Sequence, residues 1–586
     1  MGDGNLTSGE VQSPTSRWGL WAGLTLLFAS AFAAYAALPT AYYTYDAISY
    51  AQQIRTFIES GDARHLFHPH HLLFNGLGAL TWWMLNSIGV AVDPLRALQG
   101  MNAFFAAVGL TLLAWLGVRG GLLPIRASAL PQRAHPLLVM AFSVLLGSAY
   151  GYWACATDGR VNMPALVSFI ATLGMALSLL HQPSLFKVLM LSLLGVLTVA
   201  LHQSYGLLIV GGTTAIWLTR GLSRQQRLGW TVLFWLTFGL GTLALYLVVG
   251  IGIRGIRTFE QFHQWMFAYA HDGRWWDWNI GRNLLLDVKA LLRVFIGATS
   301  SGSARALLLL FALGAPLAVL VPLRWGVHQL AQRDTEDDTW RVFVLLFFTA
   351  LPFAAFFTVW NPGYFVFWMP VAVVLVLWWL FLSAQTGMRA RLAISIGVLL
   401  VAAWLLKTNL ETTLLSRTVR QNNPYLRLCD QLTRHARAGD LLLSSGFGAL
   451  APLETYAPYF ARLRVVSLNI EFKRAKGDAQ AATAAIRKQI EQAWQRNRRV
   501  LVLDEFESAT AKRELKKRYG TPPEAIDAVL HGYQRQLLFT SASTQVFLLQ
   551  PMDRVHGSGS SRSKRALVPR RILRAHSESL PLRGAL

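Results

Sequence analysis

The stretch Tyr42–Gly78, "YYTYDAISYAQQIRTFIESGDARHLFHPHHLLFNGLG", begins where the first long apolar segment of the chain ends. Its first carboxylate, Asp46, lies close to that segment, and a group of histidines follows further along. These histidines are His65, His68, His70 and His71. Ionisable side chains are costly near lipid and are kept there for function, so their concentration at this boundary indicates a candidate site.

The composition is that of a protein built largely for lipid. Of its 586 residues, 53% are hydrophobic and only 14% are charged. The formal net charge is +24, but the arginines recur in short loops between apolar runs. They therefore indicate membrane topology and contact with anionic lipid rather than nucleic-acid binding. The two cysteines, Cys155 and Cys429, are far apart and match no disulfide framework or metal motif.

Apolar segments recur at about the 20-residue length that a helix needs to cross a bilayer core. The predicted spans are residues 18–38, 98–118, 136–155, 162–180, 187–201, 204–219, 229–252, 303–323, 342–360, 364–383 and 391–407. With a cytoplasmic N-terminus, the arginine-rich loops fall inside, as the positive-inside rule requires. A further span at 72–92 would move those arginines outside, so we place that segment in the membrane plane or as a re-entrant piece. An external N-terminus is the competing solution.

The chain is thus predicted to be a polytopic α-helical membrane protein with about eleven transmembrane helices and a C-terminal extracytoplasmic α/β domain. Beyond residue 416, short strand-like runs alternate with turn residues, and 478–499 has a helical pattern. The predicted parts are a cytoplasmic N-terminal tail at 1–17, a transmembrane domain at 18–416 with external loops at 39–97 and 253–302, the α/β domain at 417–552, and a disordered basic tail at 553–586. We expect a multi-pass protein of the bacterial plasma (inner) membrane.

The absence of several known motifs reduces the number of reactions that the protein could catalyse. The sequence contains no GxxxxGK[ST], no HExxH and no paired CxxC. Ionisable residues are nearly missing from the middles of the predicted spans, whereas transporters usually keep such groups there. Instead, Asp46, the pair Asp158 and Arg160, and His202 all gather near the predicted outer ends of spans. The candidate site is therefore an external pocket at the lipid boundary.

Transfer of a sugar from a lipid phosphate fits such a pocket. The acceptor hydroxyl must lose a proton as it attacks the anomeric carbon, so a carboxylate such as Asp46 acts as base. The leaving phosphate needs cationic or hydrogen-bonding groups, for which His68, His70 and nearby arginines are candidates. Trp275 and Trp276 suit stacking on a sugar ring, although an interfacial belt explains them equally well.

Taken together, these motifs resemble the GT-C superfamily of polyprenyl-phosphate-sugar-dependent transferases, especially the protein O-mannosyltransferase and aminoarabinose-transferase groups. The resemblance rests on Asp46 followed by "HPHH" at 68–71, "YWACATDGR" at 152–160, "HQSYGLL" at 202–208, "WNPGYFVFWMP" at 360–370 and "NNPYLRLCDQL" at 422–432. It implies horizontal helices in the first external loop, with Asp46 as catalytic carboxylate and Asp158 as a second acidic site residue. His68, His70, His71, Arg160, His202, Trp275 and Trp276 are the predicted substrate-binding residues. The chain departs from the pattern where relatives often have Pro-Gly, because His70 and His71 stand there, and where relatives have an Asp-Glu pair, because Ala47 follows Asp46.

Each candidate also has a purely structural interpretation. Asp46 is suited to cap the helix that follows it. Asp158 and Arg160 are equally suited to a surface ion pair, and His202 to a structural hydrogen bond. No cofactor is certain, and a divalent metal bound by His68, His70 and His71 is left open.

The predicted function is therefore transfer of a hexosyl or pentosyl unit from a polyprenyl-phosphate donor to a glycan, lipid or protein acceptor at the outer membrane face. Membrane lipid is an expected partner and nucleic acid is not. Two other classes are kept as alternatives: a transporter or flippase of a lipid-linked or polar substrate, and a non-catalytic membrane assembly protein. Buried charges at mid-membrane would favour transport, whereas carboxylates converging on an outer pocket favour transfer.

Overall fold

The computed structural model describes residues 14–119, 136–267, 275–297, 339–542 and 544–552. The chain divides into two compact units, residues 1–429 and 430–586. The predicted tail at 553–586 and most of the tail at 1–17 lie outside the described residues.

Helices build the first unit. Their bounds are α1 Pro14–Ala37, α2 Tyr45–Ser60, α3 Phe74–Ser87, α4 Pro94–Arg119, α5 Pro136–Ser148, α6 Tyr150–Ala156, α7 Asn162–His181, α8 Leu185–Leu201, α9 Leu208–Leu218, α10 Arg224–Leu247, α11 Phe259–Met266, α12 Ile280–Phe295, α13 Thr339–Val359, α14 Met369–Ala384 and α15 Met388–Asn409. Turns of π-helix continue α10 through Val248–Ile253 and α15 through Leu410–Leu414.

Seven helices in the described residues are long and apolar enough to cross a membrane. They are Trp18–Ala37, Pro94–Val118, Asn162–His181, Arg224–Ile253, Trp340–Val359, Phe365–Ala384 and Met388–Thr418. The predicted span at 136–155 is a bent pair, α5 and α6, which turns by 69° and makes an eighth span if counted as one. The predicted spans at 187–201 and 204–219 are shorter helices, and 303–323 lies outside the described residues. The protein is a multi-pass membrane protein, as predicted. The described residues contain seven spanning helices, or eight with the bent pair, of the eleven predicted.

Residues 72–92 do not form a spanning helix. The helix α3 has 14 residues, so it is about 21 Å long, shorter than the roughly 30 Å of a bilayer core. This length agrees with the prediction that the segment does not span.

The helices of the first unit sort into a buried set and a lipid-facing set. Helices α7 and α14 bury most of their side chains in the core of this unit, whereas α1, α10 and α15 leave long rows of leucine and tryptophan exposed. Apolar rows of that length suit contact with lipid tails. Close packing of α8 on α10 depends on Gly195, where a Cβ atom would lie 2.6 Å from the ring of Phe238.

The second unit contains a five-stranded sheet in the order β2-β1-β3-β5-β4. Its strands are β1 Leu441–Ser444, β2 Arg464–Ser467, β3 Val500–Leu503, β4 Tyr533–Ser541 and β5 Thr544–Pro551. The first three strands are parallel, and β5 pairs antiparallel with both β3 and β4. The helix Ala479–Gln495 buries Ile486 and Ile490 in the apolar core of this unit. The predicted α/β domain is therefore confirmed in its architecture.

Candidate functional site

The segment between α6 and α7, residues 157–160, forms the centre of the candidate site. Two buried amides of α4 hold its backbone. The Gln99 side-chain nitrogen donates to the carbonyls of Thr40 and Thr157, each at 2.8 Å. The Asn102 side-chain nitrogen donates to the carbonyls of Asp158 and Arg160, each at 2.6 Å. The buried helix α4 thereby fixes the backbone of the segment that carries Asp158 and Arg160.

Asp158 and Arg160 form a buried ion pair. The Asp158 side chain is 2% exposed and that of Arg160 is 11% exposed, with 2.9 Å between Arg160 Nε and Asp158 Oδ2. Asp158 also accepts hydrogen bonds from the Thr44 hydroxyl at 2.8 Å and from the Gly159 amide at 2.9 Å. Such burial excludes the interpretation as a surface pair. Arg160 Nη1 is buried and has no hydrogen-bond partner among the described residues, so one donor of the guanidinium is uncommitted.

Asp46 lies in the first turn of α2, and its carboxylate makes no hydrogen bond or ion pair within the described ranges of the chain. The residue that caps α2 is Thr44, whose hydroxyl oxygen accepts from the Ala47 amide. The capping role considered for Asp46 is therefore wrong. The Asp46 residue is exposed to solvent, but many protein atoms lie near its carboxylate and reduce its hydration.

Charges of the buried pair act on Asp46. Loss of hydration raises the pKa of the Asp46 carboxyl above its usual value; Arg160 lowers that pKa and Asp158 raises it further. Asp46, Asp158 and Arg160 therefore lie close enough to interact electrostatically. The structure brings together the two predicted acids and the predicted cation.

A cavity of about 330 Å³, including space open to solvent, lies beside the buried pair. Its polar lining comprises Thr40, Tyr42, Thr157, Asp158, Arg160 and Arg417, and its remaining lining comprises Leu38, Tyr150, Ala154 and Leu414. A cavity with two guanidinium groups and an apolar wall has the chemical character of a site for an amphiphilic anion.

Arg417 is the residue of this cavity that sequence analysis missed. Its guanidinium lies over the rings of Tyr42 and Tyr150, with 5.8 and 5.9 Å from Cζ to the ring centroids. No ion pair ties it to a carboxylate in the part of the chain that the structure describes, so its charge is available to an anion. Its position just beyond the last predicted span was the available signal, because a cation there is at the membrane boundary.

The predicted histidines form a separate cluster. The ring of His71 lies 4.8 Å from that of His68, 6.2 Å from that of His70 and 5.8 Å from that of His202, measured between centroids. His71 Nε2 also shares a 2.6 Å hydrogen bond with the hydroxyl of Tyr50, one turn after Asp46 on α2. None of these histidines lines the cavity described above.

Burial keeps this cluster neutral. Burial lowers the pKa of His68 to about 4, of His70 to about 3 and of His202 to about 4, and it also lowers the pKa of His71. At neutral pH these imidazoles therefore carry no charge with which to hold a phosphate, and Arg160 and Arg417 are better suited to that role. Among the described residues, no three His, Cys, Asp or Glu side chains converge as a metal site requires.

The predicted tryptophans lie against the connection after α13. The Trp275 carbonyl accepts from the Asn361 amide at 2.7 Å, and the ring of Trp276 lies edge-on to that of Trp360 at 4.8 Å. Trp276 also stacks on Trp278, whose side chain is exposed. Neither predicted tryptophan lines the cavity beside Asp158.

The chain shares its fold with solved membrane transferases, as expected from the sequence resemblance to the GT-C superfamily. ArnT from Cupriavidus metallidurans, solved bound to undecaprenyl phosphate, has 12% identity and a TM-score of 0.51, over 92% of this chain and 98% of that one. Its apo form has 13% identity and a TM-score of 0.53 over the same shares. The apo oligosaccharyltransferase from Archaeoglobus fulgidus has 12% identity and a TM-score of 0.50, over 90% of this chain and 74% of that one. No protein-family model matches the chain, and no curated protein sequence matches it.

Proposed function

We propose that this protein is a glycosyltransferase that moves a hexosyl or pentosyl unit from a polyprenyl-phosphate donor to an acceptor at the outer face of the membrane. The observation that carries the proposal is the proximity of an unpaired carboxylate, Asp46, to the buried Asp158–Arg160 pair, which lines a cavity with polar and apolar walls. The GT-C fold supports the proposal, because its solved examples include a structure bound to undecaprenyl phosphate.

The cavity suits the lipid phosphate. Arg160 and Arg417 supply hydrogen-bond donors and positive charge for the phosphate, and Leu38 and Leu414 offer apolar contacts for the start of the polyprenyl chain. Asp158 accepts from Arg160 and thereby fixes the direction of the guanidinium. We assign Asp158 this positioning role.

We assign the role of base to Asp46. The hydroxyl of the acceptor gives its proton to the Asp46 carboxylate as its oxygen forms a bond to the anomeric carbon. The bond from that carbon to the phosphate oxygen breaks, and the phosphate leaves with the electron pair. A raised pKa makes the Asp46 carboxylate a better proton acceptor than an ordinary aspartate. The carboxylate is ionised, and so able to act as a base, only when the pH is above that pKa.

Substitution of Asp46 tests the proposal. In proteoliposomes supplied with a panel of polyprenyl-phosphate sugars, Asp46→Asn is expected to lower the transfer rate by roughly 10²–10⁴-fold, because the amide accepts no proton. Asp62→Asn is the matched control: Asp62 lies on the same predicted external segment, is half-buried and pairs with Arg64. We expect that variant to transfer sugar at the wild-type rate. Full activity in Asp46→Asn would remove Asp46 as base, and absence of transfer by the wild-type protein from every donor would refute the proposed function.

A further inference from the structure

The segment Thr40–Tyr42, between α1 and α2, is hydrogen-bonded on two sides. On one side the Thr40 amide donates to the Thr157 carbonyl at 3.2 Å, next to the buried ion pair. On the other side the Ala41 amide donates to the Arg417 carbonyl at 2.6 Å. This segment therefore joins the candidate site to the part of the chain that leaves the last long helix.

The side chain of Asn423 makes a further connection to the same segment. Its amide nitrogen donates to the Ala41 carbonyl at 2.6 Å, and the residue is fully buried. Its amide oxygen accepts from the amides of Tyr425 and Leu426, at 2.9 and 3.3 Å, and so caps the helix Pro424–His435. The two ends of one side-chain amide therefore join that helix to the segment between α1 and α2.

These connections determine where Arg417 lies in the cavity. Its carbonyl is held by the Ala41 amide, and its guanidinium lies over the rings of Tyr42 and Tyr150. The hydroxyl of Tyr42 in turn donates to the Asn422 carbonyl. A guanidinium that is already held in place loses less conformational entropy when it binds an anion, so it binds that anion more tightly. The contacts at Ala41 and Tyr42 therefore prepare Arg417 for a phosphate.

We infer that Asn423 is a positioning residue of the donor site, which holds Ala41 and through it places Arg417 for the donor phosphate. The inference rests on the proposed function and gives a role to the 422–432 motif, which the proposed function leaves without one. Asn423 does not itself line the cavity. The alternative is that Asn423 only caps the helix Pro424–His435. The two roles use different atoms, because Nδ2 holds Ala41 and Oδ1 caps the helix.

Asn423→Ser separates the two roles. Serine is a preferred N-cap residue, so the helix keeps its cap, but the shorter side chain does not extend to the Ala41 carbonyl. We expect the Kd of the detergent-solubilised protein for undecaprenyl phosphate to rise by about fivefold, as for the loss of one hydrogen bond. The melting temperature should stay close to that of the wild type. Asn279→Ser is the matched control, because Asn279 also caps a helix, α12, and in the described residues bonds only to the Arg282 amide. That variant should keep the wild-type Kd.

A double-mutant cycle tests the route through Arg417. If Asn423 acts through Arg417, Asn423→Ser should change the Kd much less in the Arg417→Ala protein than in the wild type. Equal fold-changes in the two backgrounds, or a wild-type Kd in Asn423→Ser, would overturn the positioning role and leave the proposed function standing. Wild-type protein that binds undecaprenyl phosphate but transfers no sugar from any donor would refute the function alone, and the cycle would still decide the role of Asn423. Failure of the wild type to bind this lipid would overturn both.

Discussion

At the scale of single residues, one hydroxyl links the start of α2 to the buried ion pair. The Thr44 hydroxyl oxygen accepts a hydrogen bond from the Ala47 amide at 3.3 Å. The same hydroxyl donates a hydrogen bond to the Asp158 carboxylate at 2.8 Å. A serine or threonine can perform both roles at once, because a hydroxyl is both donor and acceptor. The position of Asp46, two residues further along, therefore depends on the same atom that orients Asp158.

Thr44→Val should expose this dependence. Valine keeps the shape of threonine but cannot cap α2 or bond to Asp158, and loss of a cap alone costs about 1 kcal/mol. We expect the transfer rate to fall by roughly tenfold, an amount equivalent to about 1.4 kcal/mol in the barrier, while Thr44→Ser transfers sugar at close to the wild-type rate. Thr56→Val is the control, since the Thr56 hydroxyl bonds only to the Gln52 carbonyl of its own helix. Equal rates in Thr44→Val and Thr56→Val would contradict the positioning role.

The sequence predicted some residues of the candidate site and missed others. Asp46, Asp158 and Arg160 were predicted because each stands next to an apolar segment, where a charge is conspicuous. The histidines were equally conspicuous, but their segment is held by tertiary contacts that no local pattern reports. The Tyr50 hydroxyl shares a hydrogen bond with His71, and the Tyr246 hydroxyl donates to the carbonyl of Pro69. Arg417 was missed because the chain has 54 lysines and arginines and only tertiary contacts distinguish this one.

At the scale of elements, two long helices change from α to π geometry near one end. Each change is followed by an arginine that contacts a segment connecting two helices or lines the cavity. After the π turn Val248–Ile253, Arg254 donates to the carbonyls of Arg64 and Phe67, next to the histidine cluster. After the π turn Leu410–Leu414, Arg417 reaches the cavity. A π turn inserts a residue into the helix and so redirects the side chains beyond it, which hydrophobic periodicity does not predict.

Asn409, at the start of the second π turn, holds three elements together. It is fully buried; its amide nitrogen donates to the carbonyls of Ser148 and Phe295, and its oxygen accepts from the Gly297 amide. Asn409→Leu removes these three hydrogen bonds, and each buried backbone group that is left unsatisfied costs about 1–3 kcal/mol. We expect the melting temperature of the detergent-solubilised protein to fall by several degrees.

Asn422→Leu is the control for this element, because Asn422 is exposed and its side chain donates only to the Ser416 carbonyl. It should melt close to the wild type. If Asn409→Leu and Asn422→Leu melted at the same temperature, the bridging role of Asn409 would be wrong.

At the scale of the whole molecule, the sequence predicted the class of fold better than the count of spans. Seven predicted spans coincide with long apolar helices because hydropathy over about 20 residues reports directly on lipid contact. The segments 187–201 and 204–219 were equally apolar, yet they form helices of 17 and 11 residues, which are shorter than the roughly 20 residues that cross a bilayer core. The bend of 69° between α5 and α6 falls at Ala149, directly after the pair Gly147 and Ser148, and hydropathy over a span-length window does not register that local signal.

The orientation of the molecule in the membrane is predicted from the arginines of all the loops together. With the N-terminus cytoplasmic, the loop containing Arg119, Arg126 and Arg133 is inside, because cytoplasmic loops retain arginine. A reporter fused after Arg126 is therefore expected to be cytoplasmic, and one fused after Gly446, in the α/β domain, is expected to be external. Cysteine accessibility of the intact protein in right-side-out vesicles provides the control, because fusion itself can disturb insertion. An external signal after Arg126 would restore residues 72–92 as a span if the N-terminus is cytoplasmic. If the N-terminus is external instead, Asp46 lies on the cytoplasmic side, where the proposed outer-face transfer does not occur.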